Sequence, residues 1–252
     1  KRLKNPNIDN TKIFFYIAIV SLVIPGFVFF QRDIGTMSII LGTVAVMIWF
    51  APINKKALFK FLRYIIFALI VILCGVTIIK GGILTGAQKS RLDFINPCDS
   101  EKFQHGGYQV CNAFIAINRG NLTGVGIGKS TQKYSYIPEP HTDMVFAIIS
   151  EEYGFIIGSL IIISYLVIIY RILDLAQYAT SISGRFMCLG VSVYMFLHVF
   201  INLGGMFGLI PLTGVPLPFL SYGGSFLISL LASLAVVQRV YIDTKRCKEN
   251  II

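Results

Sequence analysis

The side chains able to do chemistry gather in three short stretches. In Ile137-Pro138-Glu139-Pro140-His141-Thr142-Asp143, two carboxylates and an imidazole stand directly before a long apolar run that carries Glu151 and Glu152. A carboxylate in such a place can accept a proton from a hydroxyl, whereas ionisable groups deeper in an apolar run are costly and are kept for function or pairing. Asp143 also suits the N-cap of that run, where it would accept backbone N–H groups and the helix field would hold it ionised; the two roles can coexist. On a continuous helix Glu151 falls on nearly the same face as Asp143, about 12 Å deeper. Glu151 and Glu152 are expected to be structural, bonded to neighbouring helices. His141, without a companion, reads as a packing or supporting residue rather than a metal ligand.

In the second stretch Gly124, Gly126 and Gly128 alternate, followed by Lys129 and Lys133. Gly128-Lys129-Ser130 resembles the end of a nucleotide-binding P-loop, but Thr123 stands where that motif needs its first glycine. Two readings stay open: phosphate contact through backbone N–H groups and lysine charge, or a flexible solvated loop. The third stretch is Leu212-Thr213-Gly214-Val215-Pro216-Leu217-Pro218, with Ser221-Tyr222-Gly223-Gly224-Ser225 after it. Its prolines forbid a regular helix. Irregular backbone near membrane depth persists only when buried in protein or lining a wet cavity. The GxxxG spacing in Gly204-Gly205-Met206-Phe207-Gly208 reads as close helix packing or a helix break.

The elements that must position these stretches are membrane helices. The 252 residues are 55% hydrophobic and 13% charged, about half the charged fraction of an ordinary soluble domain. That excludes a water-soluble enzyme, a disordered chain and a small disulfide-stapled module. The formal charge of +10 fits cytoplasmic anchoring and anionic lipid better than nucleic acid. Six apolar stretches are long enough, or nearly so, to span a bilayer: 13–30, 34–51, 57–79, 144–170, 186–201 and 219–241. The fold class is therefore an all-α integral membrane bundle, a single membrane domain over 1–252. Basic clusters before the first span, around 55–63, at Arg171 and Arg185, and after the last span predict six crossings with both termini cytoplasmic. The outer side then holds 80–142 and 204–218. Within the longer loop, Val110, Phe114 and Ile117 mark an amphipathic helix over 107–118, too short to span. Of the five cysteines, Cys98 and Cys111 could meet outside the membrane, but they are expected to be a free pair, and no metal spacing is present. The chain opens at Lys1 rather than Met and is expected to be part of a longer one.

Taken together, these stretches resemble one family, the shape, elongation, division and sporulation (SEDS) glycosyltransferases to which FtsW, RodA and SpoVE belong. The resemblance is carried by Gln31-Arg32-Asp33-Ile34-Gly35-Thr36, Arg91-Leu92-Asp93-Phe94-Ile95-Asn96-Pro97, Gly107-Tyr108-Gln109, the 124–128 glycines, Gln132-Lys133, and Pro138-Glu139-Pro140-His141-Thr142-Asp143. Glu151-Glu152-Tyr153-Gly154, Asn202, and Gly214-Val215-Pro216-Leu217-Pro218-Phe219 with Ser221 to Ser225 complete it. Arg32, Tyr153, Arg119-Gly120-Asn121 and Phe226 depart from the usual pattern; the resemblance implies ten spans, of which this sequence is expected to hold the last six.

The resemblance implies polymerisation of lipid II at the outer face of the bacterial cytoplasmic membrane, for division or cell-shape wall synthesis. Its essential aspartate maps onto Asp143, as general base. Substrate contacts would come from Glu139, His141, Thr142, Ser221, Tyr222, Gly223 and Gly224. The diphosphate clamp would be Lys129 and Lys133, with Arg91 or Lys89, helped where needed by a divalent cation (Mg or Mn); no resident protein metal site is expected. Implied partners are lipid II, a class B penicillin-binding transpeptidase and divisome or elongasome proteins. Two rival readings remain: a transporter or flippase for the same lipid, since buried carboxylates and a broken-helix loop are also transporter features, and a non-catalytic scaffold for the transpeptidase.

Overall fold

The computed structural model describes residues 20–21, 23–28, 31, 33–51, 97–98, 107–137 and 140–249. Among them the regular structure is entirely helical: α1 (Ile34–Phe50), α2 (Tyr108–Gly120), α3 (Gln132–Ser135), α4 (Val145–Tyr178), α5 (Ile182–Met206) and α6 (Gly224–Glu249). Three are long and apolar enough to cross a bilayer, namely Val145–Tyr178, Ile182–Met206 and Gly224–Cys247, while Ile34–Phe50 is a shorter apolar helix. Of the other predicted spans, 13–30 is described only at 20–21 and 23–28, which are helical, and 57–79 lies outside the described residues.

Asp33 caps α1 by accepting the Thr36 N–H at 2.9 Å, and Ser181 caps α5 by accepting the Gly184 N–H at 2.9 Å. Asp143 does not cap α4. Met144 occupies that position with no side-chain bond, because Asp143 lies one residue further out, in the turn that precedes the helix. At its far end α5 runs to Met206, into the segment expected to be loop. It stops with the Leu209 N–H on the Gly204 carbonyl (2.8 Å) and the Gly208 N–H on Gly205 (3.2 Å), the paired closure of a Schellman motif. The helix-break reading of the GxxxG stretch therefore holds.

α4 packs on α5 and α2 around Met144, Phe146, Ala147, Ala113, Ala116 and Met206, and a second cluster joins α4, α5 and α6 around Ile172, Cys188, Met195 and Leu230. α2 presents Val110, Ala113, Ala116 and Gly120 inward. Its buried face is therefore built on smaller residues than the Val110, Phe114 and Ile117 stripe, which lets the helices approach closely. The Cys98–Cys111 pair is a disulfide, contrary to the expectation of free thiols. The turn at 97–98 folds against α2 and brings the two Cα atoms to 5.0 Å, within bridging range, a proximity that thirteen residues of separation do not announce.

α4 is two helices joined at a break. Gly154 sits at φ 82°, ψ 178°, a conformation open essentially to glycine alone. The break frees the Glu151 and Glu152 carbonyls from their normal helical partners, the N–H groups of Phe155 and Ile156. The glycine loop completes all four: Val125 and Gly126 donate to Glu151 and Glu152 (2.9 and 3.0 Å), while Phe155 and Ile156 donate to the Asn121 and Leu122 carbonyls (2.8 and 3.3 Å). Inside an apolar bundle an interrupted span must recover its backbone hydrogen bonds from protein. A Cβ on Gly124 or Gly154 would collide with the opposite backbone, so this clasp closes only with glycines.

Candidate functional site

The irregular 207–223 segment lies against the turn that precedes α4. Its carbonyls are taken up one after another by side chains from the helices below. Asn202 donates to Val215 at 2.8 Å, His198 Nδ1 lies 3.1 Å from the Pro216 oxygen, and the Tyr165 hydroxyl donates to Pro218. The Ser221 hydroxyl accepts the Leu217 N–H at 2.7 Å, and the Ser221 N–H returns to the Leu217 carbonyl at 3.0 Å. Val215, Leu217 and Pro218 are buried beneath it. Phe219 follows at φ 64°, a strained backbone for a bulky residue, of the kind that concentrates at functional sites.

Asp143 sits half-buried under this strap. Asn202 is shared between the two: the amide that holds Val215 also donates to the Asp143 carbonyl at 2.8 Å. The Thr142 hydroxyl donates to Asp143 Oδ1 at 3.2 Å, and a Cβ on Gly214 would stand 3.7 Å from Oδ2. The Tyr222 N–H closes the rim on the His141 carbonyl at 2.8 Å. The structure thus brings together Asp143, Thr142, His141, Gly214, Ser221 and Tyr222, with Gly223 and Gly224 following at the start of α6. His141 and Tyr222 are exposed and Thr142 and Ser221 half-buried. A carboxylate fixed through its own backbone, with one oxygen bonded to a hydroxyl and a partly open setting, can serve as a proton acceptor for a group brought to it.

Lys129 is exposed and Lys133 half-buried on the glycine loop and α3. Among the described residues neither side chain forms an ion pair, and the Lys133 ammonium lies 5.7 Å from the centre of the Tyr134 ring. Glu139, Arg91 and Lys89 lie outside the described residues. Glu151 and Glu152 are buried, but the partners of Glu151 are Ser130, Thr131 and Arg119. These come from the loop and the end of α2, where neighbouring membrane helices were expected. Glu152 keeps Oε1 without a hydrogen bond. Among the described residues no three His, Cys, Asp or Glu side chains converge as a metal-ligand set. Asn202, His198 and Tyr165 were not among the site residues that sequence reasoning selected. Asn202 belonged to the family pattern, but its two-way bond depends on contacts 59 and 13 residues away.

The sequence model of the FTSW_RODA_SPOVE family, described as cell cycle protein, matches residues 2–246. Stage V sporulation protein E of Bacillus subtilis is 37% identical over 212 residues, covering 83% of this chain and 55% of that protein. The probable peptidoglycan glycosyltransferase FtsW of the same organism is 37% identical over 242 residues, covering 92% of this chain and 58% of its own length. The chain thus spans little more than half the length of these curated relatives. Among solved structures, a chain from a peptidoglycan synthase complex, described for its structural coordination of polymerization and crosslinking, aligns with TM-score 0.65 at 27% identity, covering 90% of this chain and 61% of its own. Thermus thermophilus Rod shape determining protein RodA aligns with TM-score 0.59 at 24% identity over 96% of this chain and 61% of its own, a likeness of fold.

Proposed function

The chain belongs to the FtsW/RodA/SpoVE family, and on that premise we propose that it is the C-terminal, six-span part of a peptidoglycan glycosyltransferase that polymerises lipid II. The observation that carries this reading is Asp143, half-buried beneath the 207–223 strap and fastened through Asn202 to both α5 and Val215. In the proposed step the acceptor's sugar hydroxyl gives its proton to the Asp143 carboxylate. Its oxygen forms a bond to the donor's anomeric carbon, with inversion. The bond from that carbon to the diphosphate oxygen breaks, and its electron pair leaves with undecaprenyl diphosphate. Asp143 must lie about 2.6–3.2 Å from that hydroxyl, or one water away.

Lys129 and Lys133, with Arg91 or Lys89, form the positive clamp on the donor's diphosphate, holding it in the bound substrate as well as on departure. Glu139, His141, Thr142 and Ser221 to Gly224 bound the sugars. A divalent cation would be held mainly by the diphosphate oxygens, because magnesium commonly takes one or two carboxylates plus substrate phosphates. The lipid stays in the bilayer, from which withdrawal costs about 0.8 kcal/mol per buried CH₂. The Cys98–Cys111 disulfide supports an exterior position for this loop, since such bonds persist where thiols are not kept reduced. A class B penicillin-binding transpeptidase and the division or elongation machinery are the proposed partners, in line with the complex from which one solved relative comes.

Purified protein carrying this chain, given labelled lipid II in detergent, tests the reading. Glycan chains that form with wild type and vanish with Asp143→Ala support it. The break at Gly154 and the buried Glu152 favour a second reading, transport of the same lipid. Flipping in vesicles that survives Asp143→Ala, with no polymer in detergent, would select transport. Normal cell growth with Asp143→Ala while the transpeptidase still binds would select a scaffold.

A further inference from the structure

The glycine loop and its lysines are held by a residue that the proposed reaction does not use. Glu151 has no solvent exposure and grips the loop at two points. Its backbone carbonyl accepts the Val125 N–H at 2.9 Å. Its carboxylate accepts the Ser130 hydroxyl and, at 3.2 Å, the Thr131 N–H. The Glu152 carbonyl holds Gly126 in turn, so residues 127–129, ending in Lys129, are the segment suspended between the grips. Ser130 Oγ passes the restraint on by accepting the Lys133 N–H at 3.1 Å. The Arg119 guanidinium, 3.6 Å from the same carboxylate, also donates to Thr131 Oγ1. An apolar side chain here would leave the Ser130 hydroxyl and the Thr131 N–H without their acceptor and Arg119 without its counter-charge, so the grip requires an acceptor at this position.

We propose that Glu151 is a positioning residue for the diphosphate of the lipid substrate, setting the backbone from which Lys129 and Lys133 reach it. The proposal rests on the reading of those lysines as diphosphate contacts. Without the Glu151 carboxylate both ammonium groups remain, but the backbone that carries them is released at Ser130 and Thr131. Affinity for the diphosphate then falls, while chemistry at Asp143, held separately by Asn202 and the strap, continues.

The test measures lipid II polymerisation by the purified protein in detergent, together with binding of undecaprenyl diphosphate and of undecaprenyl monophosphate. Glu151→Gln should raise KM for lipid II and weaken undecaprenyl diphosphate about tenfold, with kcat within about twofold, a modest case of what misplacement costs. The monophosphate should lose less. Ser130→Ala should act in the same direction by about threefold, and adding Lys129→Ala to Glu151→Gln should cost less than it does in wild type. A wild-type KM in Glu151→Gln beside raised KM in the lysine variants overturns the proposal alone, as does a fall in kcat at constant KM. Wild-type KM in both Lys129→Ala and Lys133→Ala overturns the diphosphate reading and the proposal built on it. Should Glu151→Gln fail to fold, Ser130→Ala decides by the same criteria.

Discussion

Two irregular segments carry residues of the proposed reaction, and they are held in opposite ways. The 207–223 strap is rich in proline and is fastened by side chains: Asn202, His198, Tyr165 and Ser221 each take one of its backbone groups. The 120–131 loop is rich in glycine and is fastened chiefly by backbone, through four bonds exchanged with the broken α4 and one buried carboxylate. The first arrangement fixes an exact outline, because three of its anchors are side chains on packed helices and the fourth, Ser221, closes the strap on itself. The second holds a path while leaving Lys129 on it exposed and Lys133, on α3 just after it, half-buried. On the proposed reading, the former suits a proton acceptor and the latter suits charges that follow a moving diphosphate.

The contrast can be broken at its strongest point first. Asp143→Ala should reduce polymerisation by roughly 10²–10⁴-fold, the usual contribution of a positioned acid or base. The thermal midpoint should change little, since the anchoring bonds run through the Asp143 carbonyl and survive. Loss of folded protein instead would show the side chain to be a structural pin. Gly154→Ala should destabilise next, by about 1–3 kcal/mol from backbone strain alone, with more from collision with the Leu122 and Gly124 backbone. Thermal unfolding in detergent measures it, and a wild-type midpoint would mean that the clasp contributes nothing to folding. Asn202→Ala leaves two carbonyls without a partner, at about 1–3 kcal/mol each, offset in part because the buried Asn202 Oδ1, itself without a partner, is removed. Here activity should drop further than stability accounts for, because strap and Asp143 separate. Ser221→Ala should be smallest, about 1 kcal/mol for one hydrogen bond, with a modest rise in KM for lipid II because Ser221 borders the sugars; an unchanged KM would make Ser221 an anchor of the strap alone.

Much of this organisation is legible in the residues. The apolar runs announce the helices at 34–51 and from 144 onward, and the scarcity of acids isolates Asp143, Glu151 and Glu152. Pro216 and Pro218 mark the strap as irregular. What stays hidden is pairing over distance. Nothing local ties Asn202 to Asp143, Cys98 to Cys111, or Glu151 to Ser130, since each depends on how helices stack. The break in α4 is hidden for another reason: a lone glycine in an apolar run is tolerated within helices, and only the opposing loop makes Gly154 a break. Periodicity also named Phe114 for the buried face of α2, whereas close packing against α4 selected Ala113 and Ala116.

The exchange of backbone partners at Gly154 has a consequence for motion. Neither strand of the clasp can part from the other without exposing four amides at once, so its opening should be a single cooperative event rather than fraying. In deuterium exchange the protons of Val125, Gly126, Phe155 and Ile156, thirty residues apart in sequence, should then share one protection factor. Whatever lowers it for the loop should lower it equally for the membrane helix.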